Sequence, residues 1–167
     1  MKWIGVIGSR LAEPESKAES DVREEVRKII ARGDGIVSGG ALGIDYFAID
    51  EALKVNPTGE RIMVFLPVTL PLYLEHYNKR REEGVITQHQ AETLITQLAK
   101  LKETNPQSLI EDTSNRLVNE ETYYERNTEI VNASDEILAF RVTNSGGTQD
   151  TINKARENGI PVREFKY

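Results

Sequence analysis

The stretch Ser38–Asp45, with the sequence SGGALGID, lies between a short apolar run, Gly35–Val37, and a helical pattern, Tyr46–Leu53. Its three glycines remove Cβ atoms from a strand-to-helix turn, so that backbone N–H groups can approach a ligand closely. The helix that follows directs the positive end of its dipole at the same turn. We therefore predict a site for phosphate or another anion here, with these contacts: Ser38, Gly39, Gly40, Gly43 and Asp45.

The composition predicts one soluble globular domain. Of the 167 residues, 38% are hydrophobic and 29% are charged. No apolar run approaches the roughly 18 residues of a membrane span. Because the chain has no cysteine, disulfides, thiolate metal ligands and cysteine nucleophiles are excluded. Met1–Ile7 is too short an apolar run for a signal peptide and is predicted to be a strand, so we expect a cytoplasmic protein without membrane contact.

The charge balance weighs against nucleic acid as a partner. The net charge is −6 at pH 7 and the pI is near 5.1, whereas nucleic-acid binding is usually driven by a basic surface. Lys79–Arg81 is the one compact basic patch, and it is interpreted as a solvated helix end. His76 and His89 show no ligand spacing with carboxylates, so no metal site is predicted.

Apolar runs alternate with helical patterns in the order expected for a parallel sheet with crossover helices. Five strands are predicted, over Trp3–Ile7, Gly35–Val37, Arg61–Leu66, Glu136–Phe140 and Pro161–Phe165. Helices are predicted over about Ser16–Ala31, Tyr46–Leu53, Gln88–Lys102 and Glu120–Asn132, and from the turn at Ser145–Thr148 to about Asn158. The pattern predicts an α/β fold, a three-layer Rossmann-like sandwich with a mainly parallel five-stranded sheet, in a single domain over residues 1–167.

Residues 68–119 interrupt this alternation and are predicted to form a helical insertion. One helix carries an apolar stripe made of Ala91, Leu94, Ile95, Leu98 and Leu101. Pro106 and the polar run Glu111–Asn115 favour loops in the rest. Three roles are open for the insertion: it packs on the domain, closes over a site or forms an oligomer contact. Since the stripe has more apolar positions than a lone helix needs, a homo-oligomer through the insertion is one hypothesis.

Four loops follow the carboxyl ends of predicted strands, and in parallel sheets ligands bind at this edge. Besides the stretch at Ser38–Asp45 they are Gly8–Arg10, Leu66–Pro67 and Ser145–Thr148. Arg10 supplies a fixed cation for a phosphate or carboxylate. The second glycine turn repeats the layout of the first. We therefore predict further ligand contacts from Gly8, Ser9, Arg10, Pro67, Ser145, Gly146, Gly147 and Thr148.

Other residues near this edge have two interpretations each. Asp45 either caps its helix or makes a polar contact to a ribose or base. Tyr123 and Tyr124 include at least one core or interface residue, whereas Arg126 and Asn127 are predicted to face the ligand edge. The chain lacks GxGxxG, a P-loop and an acidic residue at the end of the second strand, so no NAD site and no resident cofactor are predicted.

Together these motifs resemble the SLOG superfamily, which includes the DNA-processing protein DprA, the cytokinin-activating LOG phosphoribohydrolases and small stand-alone YspA-like proteins. The shared motifs are Gly-Ser-Arg, Ser-Gly-Gly-x-x-Gly-x-Asp, Arg-Asn and Gly-Thr, in this order. The YspA-like branch is the most similar, through Arg126-Asn127, Phe140, Gly147-Thr148 and Gly159–Val162. The resemblance covers about residues 3–67 and 120–166.

The resemblance implies a Rossmann-like domain that binds nucleotides or nucleotide-derived ligands at its glycine loops. LOG enzymes cleave the N-glycosidic bond of nucleoside monophosphates with an arginine and with the glutamate of a Gly-Gly-x-Gly-Thr-x-x-Glu motif. Arg126 is placed like that arginine, and Thr151 stands at the glutamate position. Asp150 lies one residue earlier, about 100° around a helix. The catalytic candidates are therefore Arg126 and Asp150.

Three functions follow from these motifs. The leading hypothesis is a cytoplasmic SLOG domain that binds a nucleotide or an ADP-ribose-like small molecule and acts as a ligand sensor. The first alternative is a nucleoside monophosphate phosphoribohydrolase that uses Arg126 and Asp150. The second alternative is a DprA-like single-stranded DNA binder, which the net charge of −6 disfavours.

Overall fold

A parallel sheet with helices on both faces makes up the computed structural model, which describes residues 1–167. Its strands are β1 (Trp3–Gly8), β2 (Gly35–Ser38), β3 (Ile62–Leu66), β4 (Leu109–Glu111), β5 (Glu136–Arg141) and β6 (Val162–Lys166). Its helices are α1 (Lys17–Ala31), α2 (Ile44–Val55), α3 (Leu70–Glu82), α4 (Gln88–Thr104), α5 (Glu120–Asn132) and α6 (Gly146–Glu157). The α/β fold with helices flanking a parallel sheet is thus confirmed.

The sheet has six strands in the order β4-β3-β2-β1-β5-β6, so the prediction of five strands was wrong. Every neighbouring pair is parallel. The additional strand, β4, pairs with β3 through Val64 and Leu109, and it lies inside the predicted insertion. Three residues that follow a 3₁₀ turn at Pro106–Ser108 are too few to give a period-two pattern, which is why β4 was not predicted.

The two faces of the sheet carry separate hydrophobic clusters. The larger cluster joins the sheet to α1, α2, α3 and α4, and the smaller one joins it to α5 and α6. Successive side chains of a strand point to opposite faces. Accordingly, Ile4 and Val6 of β1 enter the larger cluster, whereas Ile7 enters the smaller one.

Local sequence signals set the starts of several helices. The side chain of Ser16 caps α1 by accepting a hydrogen bond from the N–H of Glu19. Reciprocal capping boxes start α4, at Thr87 and Gln90, and α5, at Asn119 and Thr122. These caps satisfy N–H groups that have no partner inside the helix.

Residues 68–119 contain the crossover from β3 to β4, strand β4 itself and the loop that leads to α5. The apolar stripe of α4 is buried in the larger cluster, through Ala91, Leu94, Leu98 and Leu101. At the end of β4, Glu111 accepts hydrogen bonds from the N–H of Leu70 at 2.6 Å and from Nζ of Lys102 at 3.0 Å. Four of the five apolar positions that motivated the oligomer hypothesis are therefore covered within the chain, whereas Ile95 is half-buried, and oligomerisation stays a prediction.

Trp3 is the first residue of β1, so it lies at the amino-terminal ends of the strands, opposite to their carboxyl ends. Its ring packs on Gly35, where an added Cβ would lie 2.5 Å from Cζ3 of the indole. The N–H of Trp3 donates to Oδ2 of Asp135 at 2.8 Å. No helix combines the length and the apolar character of a membrane span, and cytoplasmic residence stays a prediction.

Candidate functional site

A cavity of about 430 Å³ lies where the strand order reverses, between β1 and β5. Connections leave β1 toward β2 and leave β5 toward β6, so the loops after these two strands diverge and leave a crevice. Nine of the predicted site residues line this cavity: Gly8, Arg10, Asp45, Arg126, Asn127, Ser145, Gly146, Gly147 and Thr148. Seven do not: Ser9, Ser38, Gly39, Gly40, Gly43, Pro67 and Asp150.

The N-terminus of α6 presents free hydrogen-bond donors to the cavity. Ser145 caps the helix by accepting a hydrogen bond from the N–H of Thr148 at 3.4 Å. The N–H groups of Gly146 and Gly147 have no acceptor in the chain. An added Cβ at Gly147 would make only an ordinary contact of 3.8 Å, whereas one at Gly146 would lie close to the hydroxyl of Tyr124, at 3.3 Å. Arg10 also lines the cavity, is exposed and forms no ion pair, so this end of the cavity suits an anion.

The first glycine loop is bound within the chain. Its carbonyl groups act as acceptors: Nη1 of Arg126 donates to O of Gly39, and the hydroxyl of Tyr73 donates to O of Gly40 at 3.1 Å. At the end of the loop, the N–H of Ile44 donates to O of Ser9 at 3.2 Å. The loop after β2 therefore braces the cavity wall through these hydrogen bonds, and the start of α6 adds free N–H groups at the cavity. Ligand binding by the loop's own N–H groups stays a prediction.

The glycines of the first loop are required by close packing. A Cβ at Gly39 would collide with Nη1 of Arg126 and lie 2.6 Å from its Cζ. Gly43 has φ +73, and its Cβ would collide with O of Ser9. Both glycines thus have a structural role next to the cavity, and their predicted contact with a ligand stays a prediction.

Three other predicted contacts are engaged in internal hydrogen bonds. Oγ of Ser9 is 3.0 Å from Oγ1 of Thr143, and Ser38 donates from Oγ to O of Val6 at 3.0 Å. The carbonyl of Pro67 accepts a hydrogen bond from Nδ2 of Asn115 at 3.2 Å. These contacts fix the ends of the strands behind the cavity.

Asp45 is a buried carboxylate in the cavity wall, with 5% of its surface exposed. Oδ2 accepts a hydrogen bond from the N–H of Ala41 at 3.2 Å, whereas Oδ1 has no hydrogen-bond partner of good geometry in the chain. Burial raises the pKa of Asp45, and the nearby guanidinium of Arg126 opposes this effect. The carboxylate thus keeps an acceptor atom for a group inside the cavity.

Arg126 and Asn127 connect the two glycine turns. Nε of Arg126 donates to Oδ1 of Asn127 at 3.2 Å, and Nδ2 of Asn127 reaches O of Gly147 at 3.3 Å. The guanidinium also lies 5.2 Å from the ring centre of Tyr123, within the range of a cation–π contact. The side chains of α5 therefore form a continuous polar wall from α6 to the loop after β2.

Asp150, the second catalytic candidate, does not line the cavity. Its Oδ2 lies 2.9 Å from Nζ of Lys154 and accepts a hydrogen bond from Nδ2 of Asn127 at 3.1 Å. Thr151 lines the cavity instead, and its hydroxyl donates to O of Gly147 at 3.1 Å. The position that carries the glutamate in LOG enzymes is thus at the cavity, but it has no carboxylate.

The wall opposite α6 includes residues of α3 that sequence reasoning missed. His76, Tyr77 and Arg80 line the cavity, so part of the predicted basic helix end belongs to the site. Burial lowers the pKa of His76, and Arg80 lowers it further. The spacing of three and four residues between Leu70, Tyr73 and Tyr77, all buried, is the signal that predicts this helix face.

Beneath this wall the hydroxyl of Tyr77 lies 3.3 Å from that of Tyr73. Burial raises the pKa of both tyrosines. Both hydroxyl groups therefore stay neutral and act as hydrogen-bonding groups. No group of three or more His, Cys, Asp or Glu side chains is arranged to hold a metal ion.

Comparisons with known proteins agree with this architecture. The family model described as DNA recombination-mediator protein A matches residues 1–165, which includes the segment 68–119. A search of curated proteins finds no match.

Three solved structures have a similar fold. DNA processing protein A from Helicobacter pylori, described with a unique single-stranded DNA binding mode, has a TM-score of 0.69 at 18% identity over 98% of this chain and 64% of that chain. DprA from Streptococcus pneumoniae gives 0.61 at 19% identity, over 98% and 50%. The protein TM1055 gives 0.57 at 16% identity, over 97% and 72%. This chain therefore spans about half to two thirds of the length of the two DprA chains.

Proposed function

The chain belongs to the DNA recombination-mediator protein A family, and on this premise we propose that it is a SLOG-type domain that binds a nucleotide or a nucleotide derivative. The ligand occupies the cavity between β1 and β5, with a phosphate at the N-terminus of α6. The observation that carries the proposal is the pair of unpaired N–H groups at Gly146 and Gly147, beside the free cation of Arg10. Oriented N–H groups, a helix dipole and a fixed cation together favour a phosphate.

The charge and the shape of the cavity support the same ligand class. Three arginines and two carboxylates line it, although the chain as a whole has a net charge of −6. Tyr77, Tyr123 and Tyr124 add aromatic rings to the wall. A volume of about 430 Å³ lies within the range of small-molecule sites. An ADP-ribose-like molecule is therefore one candidate within this class.

A sensor role fits the site better than hydrolysis does. The LOG-type reaction that the resemblance implies uses a carboxylate near the start of α6 to stabilise positive charge on the sugar or to activate water. Asp150 is paired with Lys154 outside the cavity, and Thr151 occupies the wall. We therefore propose binding without turnover. Placement in the YspA-like branch is a narrower proposal, which rests on the order of motifs that ends with Gly159–Val162.

Calorimetry and thermal shift with a panel of nucleoside mono- and diphosphates and ADP-ribose test the proposal. At 100 times its Kd, a ligand adds about 2.7 kcal/mol to the free energy of unfolding. We expect Arg10→Gln to weaken binding, whereas Lys100→Gln removes the same charge from an exposed site outside the cavity and leaves binding unchanged. Failure of every compound to bind or stabilise the protein would refute the proposal.

Single-stranded DNA binding is the second candidate, because the family model and the fold of two DprA chains favour it. A strand bound through phosphates shows an affinity that falls steeply with salt. Titration of a labelled oligonucleotide at several salt concentrations separates this function from nucleotide binding. Tight, salt-dependent binding of the oligonucleotide together with no binding of nucleotides would favour the DNA function.

A further inference from the structure

We propose that Asp45 makes the cavity selective for ribonucleotides over 2′-deoxyribonucleotides by accepting hydrogen bonds from the ribose hydroxyl groups. This inference rests on the proposed function, since it assumes that a nucleotide phosphate binds at the N-terminus of α6. It adds the identity of the sugar, which neither the family match nor the fold specifies.

The first support is the unpaired oxygen of a buried carboxylate. Asp45 is 5% exposed and lines the cavity, and Oδ1 accepts no hydrogen bond of good geometry from the chain. Among the side-chain polar atoms without a hydrogen-bond partner, only Oε1 of Gln97 is fully enclosed. Oδ1 of Asp45 is therefore not fully enclosed and is open to the cavity that Asp45 lines. A carboxylate oxygen that is mostly withdrawn from water gains from a donor on the ligand.

The hydroxyl of Ser38 does not supply that donor. Its Oγ donates its single proton to O of Val6 at 3.0 Å. The N–H of Ala41 is already bound to Oδ2. The N–H of Gly39 also lies near the carboxylate, but it makes no hydrogen bond of good geometry with it. Oδ1 therefore has its best remaining partner among groups that enter the cavity.

The second support is the position of Asp45 relative to the phosphate site. Asn127 bonds O of Gly147 and also Arg126, whose guanidinium lies against Gly39 beside Asp45. Only the side chains of Asn127 and Arg126 therefore separate the phosphate site from the loop beside Asp45. In a nucleotide the sugar is the group attached directly to the phosphate, so the donors closest to the phosphate are sugar hydroxyls. The base is attached to the sugar and lies further from the phosphate, where the rings of Tyr77 and Tyr123 can face it.

The third support is the charge next to Asp45. The guanidinium of Arg126 lies beside the carboxylate, because an added Cβ at Gly39 would touch both side chains. A cationic donor would be repelled there, whereas neutral hydroxyl groups are accepted. A carboxylate has two acceptor oxygens and suits a pair of vicinal hydroxyls, as in dinucleotide-binding folds where an acidic residue binds the ribose.

The experiment measures the Kd of the four ribonucleoside monophosphates and of their 2′-deoxy counterparts by calorimetry. We expect the wild type to bind the best ribonucleotide roughly tenfold more tightly than its 2′-deoxy form, the effect of one hydrogen bond to a charged group. In Asp45→Asn this preference falls below about threefold. Glu103→Gln removes an exposed carboxylate outside the cavity and keeps the preference.

Several outcomes overturn the inference. A wild type that binds both sugars equally refutes it and leaves the proposed nucleotide function intact. Equal weakening of both sugars in Asp45→Asn assigns the residue to positioning Arg126 and also refutes it. If Asp45→Asn does not fold, the wild-type comparison of 2′-deoxy, 3′-deoxy and 2′-O-methyl nucleotides still decides. If no nucleotide binds, both the proposed function and this inference are refuted.

Discussion

At Gly39 the space that a side chain would fill is taken by the guanidinium of Arg126. The φ angle of Gly39 is not in the left-handed region, so its backbone conformation is open to other residues. Space, and not conformational freedom, is therefore what requires glycine. The sequence motif indicates a close approach of backbone and ligand, but the group that approaches is an arginine of the same chain.

Gly39→Ala should weaken nucleotide binding, because the added Cβ displaces the Arg126 side chain from the cavity wall. The overpacked wall should also lower the free energy of unfolding by about 1–3 kcal/mol. Urea denaturation and calorimetry measure the two effects. In an Arg126→Ala background the added methyl group should be less destabilising, and equal destabilisation in both backgrounds would contradict this explanation.

Asp45 should make the stability of the protein depend on pH. Burial raises its pKa above the ordinary value of 3.8, against the effect of Arg126. The folded protein then holds this proton more tightly than the unfolded chain, so the contribution is complete below about pH 3.8 and is lost as the pH rises through the folded pKa. Relative to Asp45→Asn, the wild type should lose stability from pH 4 upward. Urea denaturation across this range tests the sign, and a wild type that gains relative stability would refute it.

At the scale of elements, long periodic segments were predictable and short or mixed ones were not. The helices that start at Lys17 and Glu120 agree with the sequence patterns within one residue. Helix α3 was missed because Pro71 and a charged run, Lys79–Arg81, hide its buried face. Strand β4 is only three residues long, so no pattern distinguishes it from a loop. The cavity residues on α3 were therefore not predicted either.

Glu111 links β4 to α3 and replaces a missing cap. Thr69, the N-cap residue of α3, makes no side-chain capping bond, whereas Glu111 accepts the N–H of Leu70 at 2.6 Å. Glu111→Ala should lower the free energy of unfolding by about 1 kcal/mol and speed hydrogen exchange in α3. Glu103→Ala, at an exposed residue of α4 without such a bond, is the control. Unchanged exchange in α3 would contradict the capping role.

At the scale of the whole molecule, the cavity is assembled from segments that are far apart in sequence. It joins the loop after β1, the turn into α2, helix α3, helix α5 and the start of α6. Sequence motifs predicted the edge of the sheet at which the cavity lies, since strand ends and glycine turns are local features. They left open whether the insertion packs on the domain, closes over a site or forms an oligomer contact, because the opposite wall depends on how the β3–β4 crossover folds back.

A bound nucleotide should therefore slow hydrogen exchange in several segments at once. We expect protection in residues 8–11, 41–45, 76–86, 118–127 and 145–148, because all five regions contribute residues to the cavity. Hydrogen exchange with mass spectrometry, with and without AMP or the best ligand of the panel, measures this footprint. Protection confined to 145–148 would show that α3 and α5 take no part in binding.

The single tryptophan, Trp3, stands at the far edge of the sheet from the cavity. Five steps along β1, from Trp3 to Gly8, separate them by about 17 Å, at roughly 3.3 Å per residue. Its fluorescence should therefore follow global unfolding and remain constant when a ligand binds. The protein thus carries an intrinsic optical probe whose emission separates loss of the fold from occupancy of the site, and a Tyr123→Trp variant would add a second fluorophore beside the ligand.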